Sequence, residues 1–390
     1  MLGISPHWVV KLGILLTAVA LSVEVAAQQN SNESRTRDPE LLPGGPCPSS
    51  VLDFDRLVSL LGSDNATERW AAAECLGDMK DTRAIDPLVG AIFREKYPRL
   101  VMIEQNALRG MVNPHAEDLL LEALRQKKTR ATAVYTLGTL QVERAVDPLI
   151  ALLKSPDKWD RSDAAEALGL IKDPRATGPV SATLKDPDEV VRRFAASALG
   201  DLGDVRAVGP LSDVLKDPDD GVRWNASNSL GDLKDSRATA PLATALSDRQ
   251  ENVRRAAADA LGKIRDSRAV LALIVAFKSG NRWHAAAALA NISDSRAAEF
   301  LNSGLNERQF DLVAAAHLFF IRKGDPHSLQ ALIEALNKYG RWEMAQAYMY
   351  CGNPQLGDAA RRWAASHDYE NLTPSDGPPL TWGSEKQSAP

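Results

Sequence analysis

The chain has 390 residues, of which 44% are hydrophobic and 25% are charged, and its formal net charge is −5. This composition is ordinary for a folded protein and excludes a chain that is disordered throughout. The acidic balance argues against a nucleic-acid partner, because a nucleic-acid-binding protein carries a clustered basic excess.

The first 27 residues have the pattern of a secretory signal. Lys11 precedes an apolar stretch from Leu12 to Val23, and Val25-Ala26-Ala27 places small or aliphatic side chains where signal peptidase reads them. An apolar stretch of this length is too short to span a bilayer comfortably. We expect residues 1–27 to be cleaved, no stable membrane insertion after cleavage, and export to the periplasm or the exterior of a bacterium.

Residues 28–50 are polar and contain Pro and Gly, so they are predicted to form a flexible leader. The chain has three cysteines, Cys47, Cys75 and Cys351, and an odd number leaves at least one thiol unpaired in an oxidising compartment. Cys47 has three possible fates: a bond with Cys75, a bond with another chain, or none. The simplest interpretation of Cys75, which precedes a repeat leucine, is a small core hydrophobe.

A Leu-Gly pair recurs at intervals of 31 residues through the middle of the chain. A fixed period of this size is the signature of a stacked repeat array. The repeats are predicted to run over residues 51–352 as about ten units. The register leucine, which is the first residue of each pair, and its equivalents in the outer repeats are Leu76, Leu108, Leu137, Leu168, Leu199, Leu230, Leu261, Leu289, Leu318 and, at the last position, Tyr348.

Each repeat is predicted to contain two antiparallel helices. Val191, Ala195, Ala198 and Leu199 recur at three- and four-residue steps, which is one stripe of a helix. The recurring glycine indicates close packing between helices, because a glycine inside a helix costs about 1 kcal/mol relative to alanine. The fold class is therefore an all-α, right-handed solenoid, with a closing helix at residues 353–367 and a disordered tail at 368–390.

The repeated phrase Glu189-Val-Val-Arg-Arg-Phe-Ala-Ala-Ser-Ala-Leu-Gly-Asp-Leu-Gly resembles HEAT repeats of the kind also found in phycobilisome lyases. The likeness covers about three quarters of the chain. The resemblance implies a helical solenoid. For function it implies a scaffold for protein partners more often than an enzyme.

An arginine lies seven residues before nearly every register leucine. Stacked repeats would bring these side chains into a ladder, in which each guanidinium bonds a carboxylate or a loop carbonyl. A basic groove for phosphate or another polyanion is the alternative. The members of the predicted structural ladder are Arg130, Arg161, Arg192, Arg223, Arg254, Asp188 and Asp219.

Four tryptophans, Trp70, Trp224, Trp283 and Trp342, lie one position after this arginine. The position is off the apolar stripe, so we expect these side chains to be largely exposed, which is costly unless a partner covers them. The alternative is that each ring folds over small alanines and caps the core. With their neighbours Phe194, Asn225, Asn228 and His284 they are predicted to bind a protein or an extended peptide.

The sequence offers little support for catalysis. A metal-dependent hydroxylase of the deoxyhypusine type would need His-Glu pairs on these helices, and no His-Glu pair occurs in the chain. Glu74, Glu166 and Asp259 are interpreted as parts of solvated faces. The sequence therefore predicts a non-catalytic interaction scaffold that is not an enzyme and holds no cofactor or metal. The alternative is an enzyme or enzyme subunit, either bilin lyase-like or metal-dependent hydroxylase-like.

Overall fold

The computed structural model describes residues 53–292, 294–367, 369 and 380–384. Within these residues the chain forms 22 α-helices and no strand. The signal and leader predicted for residues 1–50 lie outside the described part. None of the described helices combines the length and the apolar character needed to cross a membrane.

The helices alternate along the chain between two layers. In order they are α1 (Phe54–Leu60), α2 (Ala66–Met79), α3 (Ile85–Arg94), α4 (Pro98–Arg109), α5 (Pro114–Ala123), α6 (Arg130–Thr139), α7 (Val146–Leu152), α8 (Lys158–Ile171), α9 (Thr177–Thr183), α10 (Glu189–Leu202), α11 (Val208–Asp213), α12 (Asp220–Leu233), α13 (Thr239–Ala245), α14 (Glu251–Ile264), α15 (Val270–Lys278), α16 (Arg282–Asn291), α17 (Ser295–Asn306), α18 (Phe310–Ala315), α19 (His317–Lys323), α20 (Leu329–Tyr339), α21 (Trp342–Tyr350) and α22 (Pro354–Ala365).

The helices that carry the register leucines pack side by side as one layer, which we call the Leu layer. It contains α2, α4, α6, α8, α10, α12, α14, α16, the α18–α19 pair and α21. The helices between them form the second layer, and the core lies between the two layers. This arrangement confirms the predicted all-α solenoid.

The second-layer helices begin in a repeated way. An aspartate such as Asp204 accepts a hydrogen bond from the N–H two residues later and starts a 3₁₀ turn, which the short α-helix follows. Pro179, Pro210 and Pro241 fall in the first turn of α9, α11 and α13. A proline there breaks no helical hydrogen bond, so the recurring proline marks a helix start and causes no kink.

The Leu layer is close-packed because glycine follows the register leucine. A Cβ atom added to Gly169 would lie 2.8 Å from Ala198 Cα on the next helix, and one on Gly231 would lie 2.8 Å from Ala260 Cα. In the second repeat Arg109 takes the place of this glycine, and its guanidinium extends to the Thr139 carbonyl oxygen at 3.1 Å. The glycine therefore sets how closely neighbouring repeats approach.

The arginine ladder forms, but with different carboxylates from those expected. Three arginines each donate two hydrogen bonds to an aspartate of the next repeat: Arg161 to Asp186, Arg192 to Asp217, and Arg223 to Asp248. Arg130 bonds Asp160, and Arg254 bonds the main-chain oxygens of Asp248 and Arg249.

The inclusion of Asp188 and Asp219 among the ladder acceptors was wrong. These side chains instead cap the N-termini of α10 and α12, where they accept hydrogen bonds from Val190 and Val222 N–H. Each also pairs with a base outside the ladder, Asp188 with Lys158 and Asp219 with Arg193. Capping therefore uses the loop aspartate nearest the helix, and the aspartate two residues earlier faces the ladder.

The register drifts near the C-terminal end of the array. Leu318 was predicted as a buried register position, but its side chain is 36% exposed, and Phe320 is fully buried. The helix breaks between α18 and α19, and this break shifts the buried stripe by two residues. Tyr348, the last predicted register residue, is fully buried.

The C-terminal region differs in part from the expected disordered tail. Trp382 N–H donates to the Cys351 carbonyl oxygen at 2.8 Å, and Gly383 N–H donates to Ile321 oxygen at 2.9 Å. Leu380 and Trp382 also pack against the core. A prediction of disorder over the whole of 368–390 is therefore wrong for residues 380–384, because apolar side chains and helix-end carbonyls hold them.

Two of the three cysteines are described. Cys75 is disulfide-bonded and nearly fully buried, which corrects its interpretation as a simple core hydrophobe. Cys351 is free and buried, and burial raises the pKa of its thiol. Cys47 lies outside the described residues.

Candidate functional site

The Leu layer has a free face on the side away from the second layer. Positions two, five and six before the register leucine are one helical turn apart, so they share this face. On α12 these positions are Asn228, Asn225 and Trp224, and all three side chains are half-buried. Ala226 and Ser229, four and one residues before the leucine of α12, are fully or almost fully buried.

The four tryptophans are half-buried, so the expectation that they are largely exposed was wrong. Trp283 packs against the core, and the Arg341 guanidinium lies 4.3 Å from its ring centroid. Trp342 lies 5.1 Å from the ring of Tyr369, and Trp70 Nε1 is buried with no hydrogen-bond partner among the described residues. The small alanines around these positions leave room for a ring to fold down, which favours the packing alternative for part of each side chain.

The other predicted partner-binding residues also lie on the free face. Phe194 is half-buried at the position on α10 that Asn225 has on α12. His284 Nδ1 lies 2.8 Å from Asp259 Oδ1 on the neighbouring helix α14. This hydrogen bond orients the imidazole and leaves its Nε2 available to a ligand. Phe194 thus lies on α10, Asn225 and Asn228 lie on α12, and His284 lies on α16.

Asp163 and Glu166 on α8 form a pair of carboxyl groups on the same face. They are three residues apart and half-buried. Burial raises the pKa of Asp163 to about 7, and the charges of Asp160 and Asp157 add to the effect. Burial also raises the pKa of Glu166 to about 7, with further contributions from the charges of Asp163 and Asp201.

Tyr135 on α6 belongs to the same cluster. Burial raises the pKa of its phenol, and the charge of Glu166 raises it further. Tyr135 has the position on α6 that Glu166 has on the neighbouring helix α8. We call Tyr135, Asp163 and Glu166 the α8 carboxyl site. Sequence reasoning missed it, because Glu166 was interpreted as part of a solvated face and Asp163 was not singled out. The available signal was two acidic residues one turn apart on the free face of α8.

The α8 carboxyl site can transfer protons at neutral pH. A carboxyl group with a pKa near 7 is present in both its protonated and its ionised form, so it can act as a general acid or a general base. Ionisable groups with strongly shifted pKa values cluster at functional sites. The neighbouring phenol stays un-ionised and can donate a hydrogen bond to an oxygen of a ligand.

An iron site of the hydroxylase type does not fit the described residues. They contain no group of three or more His, Cys, Asp or Glu side chains placed to hold a metal ion. The described histidines of the free face include His284, whose observed partner is a single aspartate. Acid–base chemistry is what the raised pKa values of Asp163 and Glu166 support.

Family models match most of the array. The model of HEAT repeats matches residues 117–180, 178–251 and 239–319, which together cover more than half of the chain. The model of the PBS lyase HEAT-like repeat matches residues 68–93. No curated protein matches the chain.

The solved structures with a similar fold include enzymes. The phycocyanin lyase complex of CpcE and CpcF from Nostoc is 21% identical, with 70% of this chain and 97% of that chain covered and a TM-score of 0.33. Human deoxyhypusine hydroxylase is 22% identical, with coverages of 63% and 97% and a TM-score of 0.29. An engineered protein is 20% identical, with coverages of 80% and 98% and a TM-score of 0.42. At these identities the likeness shows the fold alone.

The predictions of a non-catalytic scaffold and of a protein that is not an enzyme were wrong. The model of a lyase-type HEAT-like repeat matches residues 68–93. The repeat architecture therefore gives no ground for excluding catalysis. The matched repeats over residues 117–319 identify this chain as a member of the HEAT repeat family.

Proposed function

We propose that the chain is an enzyme or enzyme subunit of the bilin lyase-like type, and that the α8 carboxyl site performs its proton transfer without a metal. The observation that carries this proposal is the pair of half-buried carboxyl groups, Asp163 and Glu166, whose pKa values are raised to about 7. The match of residues 68–93 to a lyase-type repeat supports the lyase class over the hydroxylase class.

The structural aspartates of the same array provide a contrast. The hydrogen bonds from Arg237 hold the pKa of Asp235 at about 2, and those from Arg268 hold the pKa of Asp266 at about 2. Asp235 and Asp266, which cap 3₁₀ turns and pair with arginine, are thus ionised at neutral pH. Asp163 and Glu166 have raised pKa values, so they differ from these ionised structural carboxylates.

The spacing within the site permits a two-step role. The protonated carboxyl group donates to a ligand atom that gains negative charge, and the ionised one accepts a proton from a second ligand atom. Asp163 and Glu166 are one helical turn apart, so both can reach the same small group. Tyr135 donates a hydrogen bond to an oxygen beside them.

Besides the bilin, a protein or an extended peptide is proposed to bind along the free face. Phe194 and Trp224 supply partly exposed ring surface on the helices that follow α8. The amides of Asn225 and Asn228 each provide a donor and an acceptor, which suit a main chain. Trp70, Trp283, Trp342 and His284 extend this proposed partner-binding set along the array.

Export is also proposed. The signal pattern of residues 1–27 supports it, and so does the disulfide of Cys75, because disulfides persist in oxidising compartments. The proposed enzyme therefore meets its ligand in the periplasm or outside the cell.

Biliverdin, a linear tetrapyrrole, tests the lyase-like function. The mature chain is incubated with biliverdin without metal, and the visible absorption spectrum is followed over time. We expect a spectral change in the wild type that is lost in Asp163→Asn and Glu166→Gln. Glu74→Gln is the matched control, because Glu74 has the position on α2 that Glu166 has on α8. No change with the wild type, or equal changes in all four proteins, would contradict the proposal.

A further inference from the structure

Two main-chain oxygens at the end of the array bind a distant part of the chain. The Ile321 oxygen lies in the last turn of α19, and the Cys351 oxygen lies directly after α21. Carbonyl groups at a helix C-terminus have no partner within their own helix. Gly383 N–H donates to the first of these oxygens at 2.9 Å, and Trp382 N–H donates to the second at 2.8 Å.

The contact requires glycine at position 324 for space, and the backbone conformation favours glycine at position 383. Gly324, which ends α19, has φ 60°, and Gly383 has φ 75°. A Cβ atom on Gly324 would lie 2.4 Å from Gly383 Cα and 2.5 Å from its nitrogen. The two backbones therefore touch, and no side chain on residue 324 fits between them, whereas a Cβ atom on Gly383 would meet only Gly324 Cα, at 3.9 Å. Leu380 and Trp382 add half-buried apolar side chains that pack against the core.

We propose that the C-terminal ends of α19 and α21 form a peptide-binding site that recognises main-chain N–H groups. In this structure the site is occupied by the chain's own segment Leu380–Ser384. We call this segment the strap. The Trp382 and Gly383 hydrogen bonds to the array come from backbone N–H groups, and Ser384 N–H donates to the Thr381 oxygen at 3.2 Å, so the site fits a peptide turn with an aromatic residue followed by glycine. None of its residues belongs to the α8 carboxyl site, so the proposal stands independently of the proposed enzymatic function.

The same tail covers one of the tryptophans proposed to bind a partner. Tyr369 contacts Trp342 at the first residue of α21, and Trp382 bonds Cys351 just beyond its last residue. The tail thus contacts both ends of α21. An external peptide that enters this end of the Leu layer competes with the strap.

Hydrogen exchange tests the contact in the full chain. In the wild type we expect slow exchange of the Trp382 and Gly383 amides. Gly324→Ala places a methyl group against Gly383, so exchange of both amides becomes about ten-fold faster. Gly203→Ala is the matched control, because Gly203 also ends a helix with φ 69° and a Cβ atom there meets nothing within 4 Å. Equal rates in the two variants, or fast exchange in the wild type, would overturn the proposal.

A peptide added in trans tests whether the site is a binding site. Gly383→Val disfavours the left-handed conformation of the strap and leaves the array unchanged, as far-ultraviolet circular dichroism would verify. A fluorescent peptide with the sequence of residues 378–386 should bind this variant at least about ten-fold more tightly than the wild type, because the wild-type site is occupied. Equal binding to both proteins, or no binding to the variant, would overturn the proposal.

Discussion

The Arg192 guanidinium donates two hydrogen bonds to Asp217 in the next repeat, from Nε to Oδ2 at 2.8 Å and from Nη2 to Oδ1 at 2.9 Å. Both side chains are nearly buried, with 12% and 7% of their surfaces exposed. The pairs Arg161–Asp186 and Arg223–Asp248 repeat this geometry on either side. Each pair joins two repeats, so the ladder couples their unfolding.

Arg192→Ala should destabilise the array by about 3 kcal/mol, because it leaves the Asp217 charge buried without its partner. Denaturant unfolding followed by circular dichroism measures the change. Arg255→Ala removes an exposed pair with Glu251 and should change the free energy of unfolding by less than about 0.5 kcal/mol. Equal effects of the two substitutions would contradict the role of the ladder.

Gly169→Ala should destabilise the protein by about 1–3 kcal/mol, because its Cβ atom would lie 2.8 Å from Ala198 Cα. Gly209→Ala provides the control in α11, where a new Cβ atom meets nothing within 4 Å. That substitution should be neutral or stabilising by up to about 1 kcal/mol, since alanine is the better helix former. A neutral Gly169→Ala would show that the repeats do not need the close approach.

The fold was predictable because leucine and small residues recur at a fixed spacing along the sequence. Leu137, Leu168 and Leu199 mark the buried stripe, and the glycine after each marks the contact with the next helix. The shift to Phe320 was not predictable from spacing, because it depends on the break between α18 and α19. Spacing alone also gave no means of choosing between Asp186 and Asp188 as the partner of Arg161.

The candidate site was less predictable than the fold. Trp224 and Asn225 stood out because they depart from the repeat, whereas Glu166 resembled an ordinary surface acid. The pKa of Glu166 depends on its burial and on the nearby Asp163 and Asp201 charges. Both depend on how the neighbouring helices pack. The strap was missed for a related reason, since its contacts with Ile321 and Cys351 join residues far apart in sequence.

The fully buried Glu104 should make stability depend on pH. Burial raises the pKa of its carboxyl group to about 8, and neither oxygen has a hydrogen-bond partner among the described residues. The folded-state pKa lies above the unfolded one. The stability that protonated Glu104 contributes to the fold is therefore fully present below about pH 4.5 and is lost as the pH rises through about 8. The loss should be about 1.4 kcal/mol per pH unit in this window.

Glu104→Gln removes the titrating group, so its unfolding free energy should fall less between about pH 5 and pH 8 than that of the wild type. Denaturant unfolding at several pH values measures both slopes. Glu74→Gln provides a control substitution on the neighbouring helix α2. Parallel curves for the wild type and Glu104→Gln would contradict the assignment.

Cys75 should be linked to Cys47, because Cys351 is free and buried. Mass spectrometry of the unreduced, digested protein should find this linked peptide together with a mature N-terminus at Gln28. Reduction should lower the melting temperature, since it removes a covalent constraint on the unfolded chain. An intact Met1 with reduced Cys75 in the cytosol would contradict export.

The pKa values of Asp163 and Glu166 test the central claim most directly. Nuclear magnetic resonance titration of carbon-13-labelled carboxyl groups should show two midpoints near pH 7 in the wild type. The Asp163 midpoint should disappear in Asp163→Asn. In the same variant the Glu166 midpoint should fall to a lower pH, because the neighbouring charge is gone. The Glu166 midpoint should disappear in Glu166→Gln. If both carboxyl groups titrate near about pH 4, as unperturbed side chains do, the α8 carboxyl site cannot be the proposed acid–base centre.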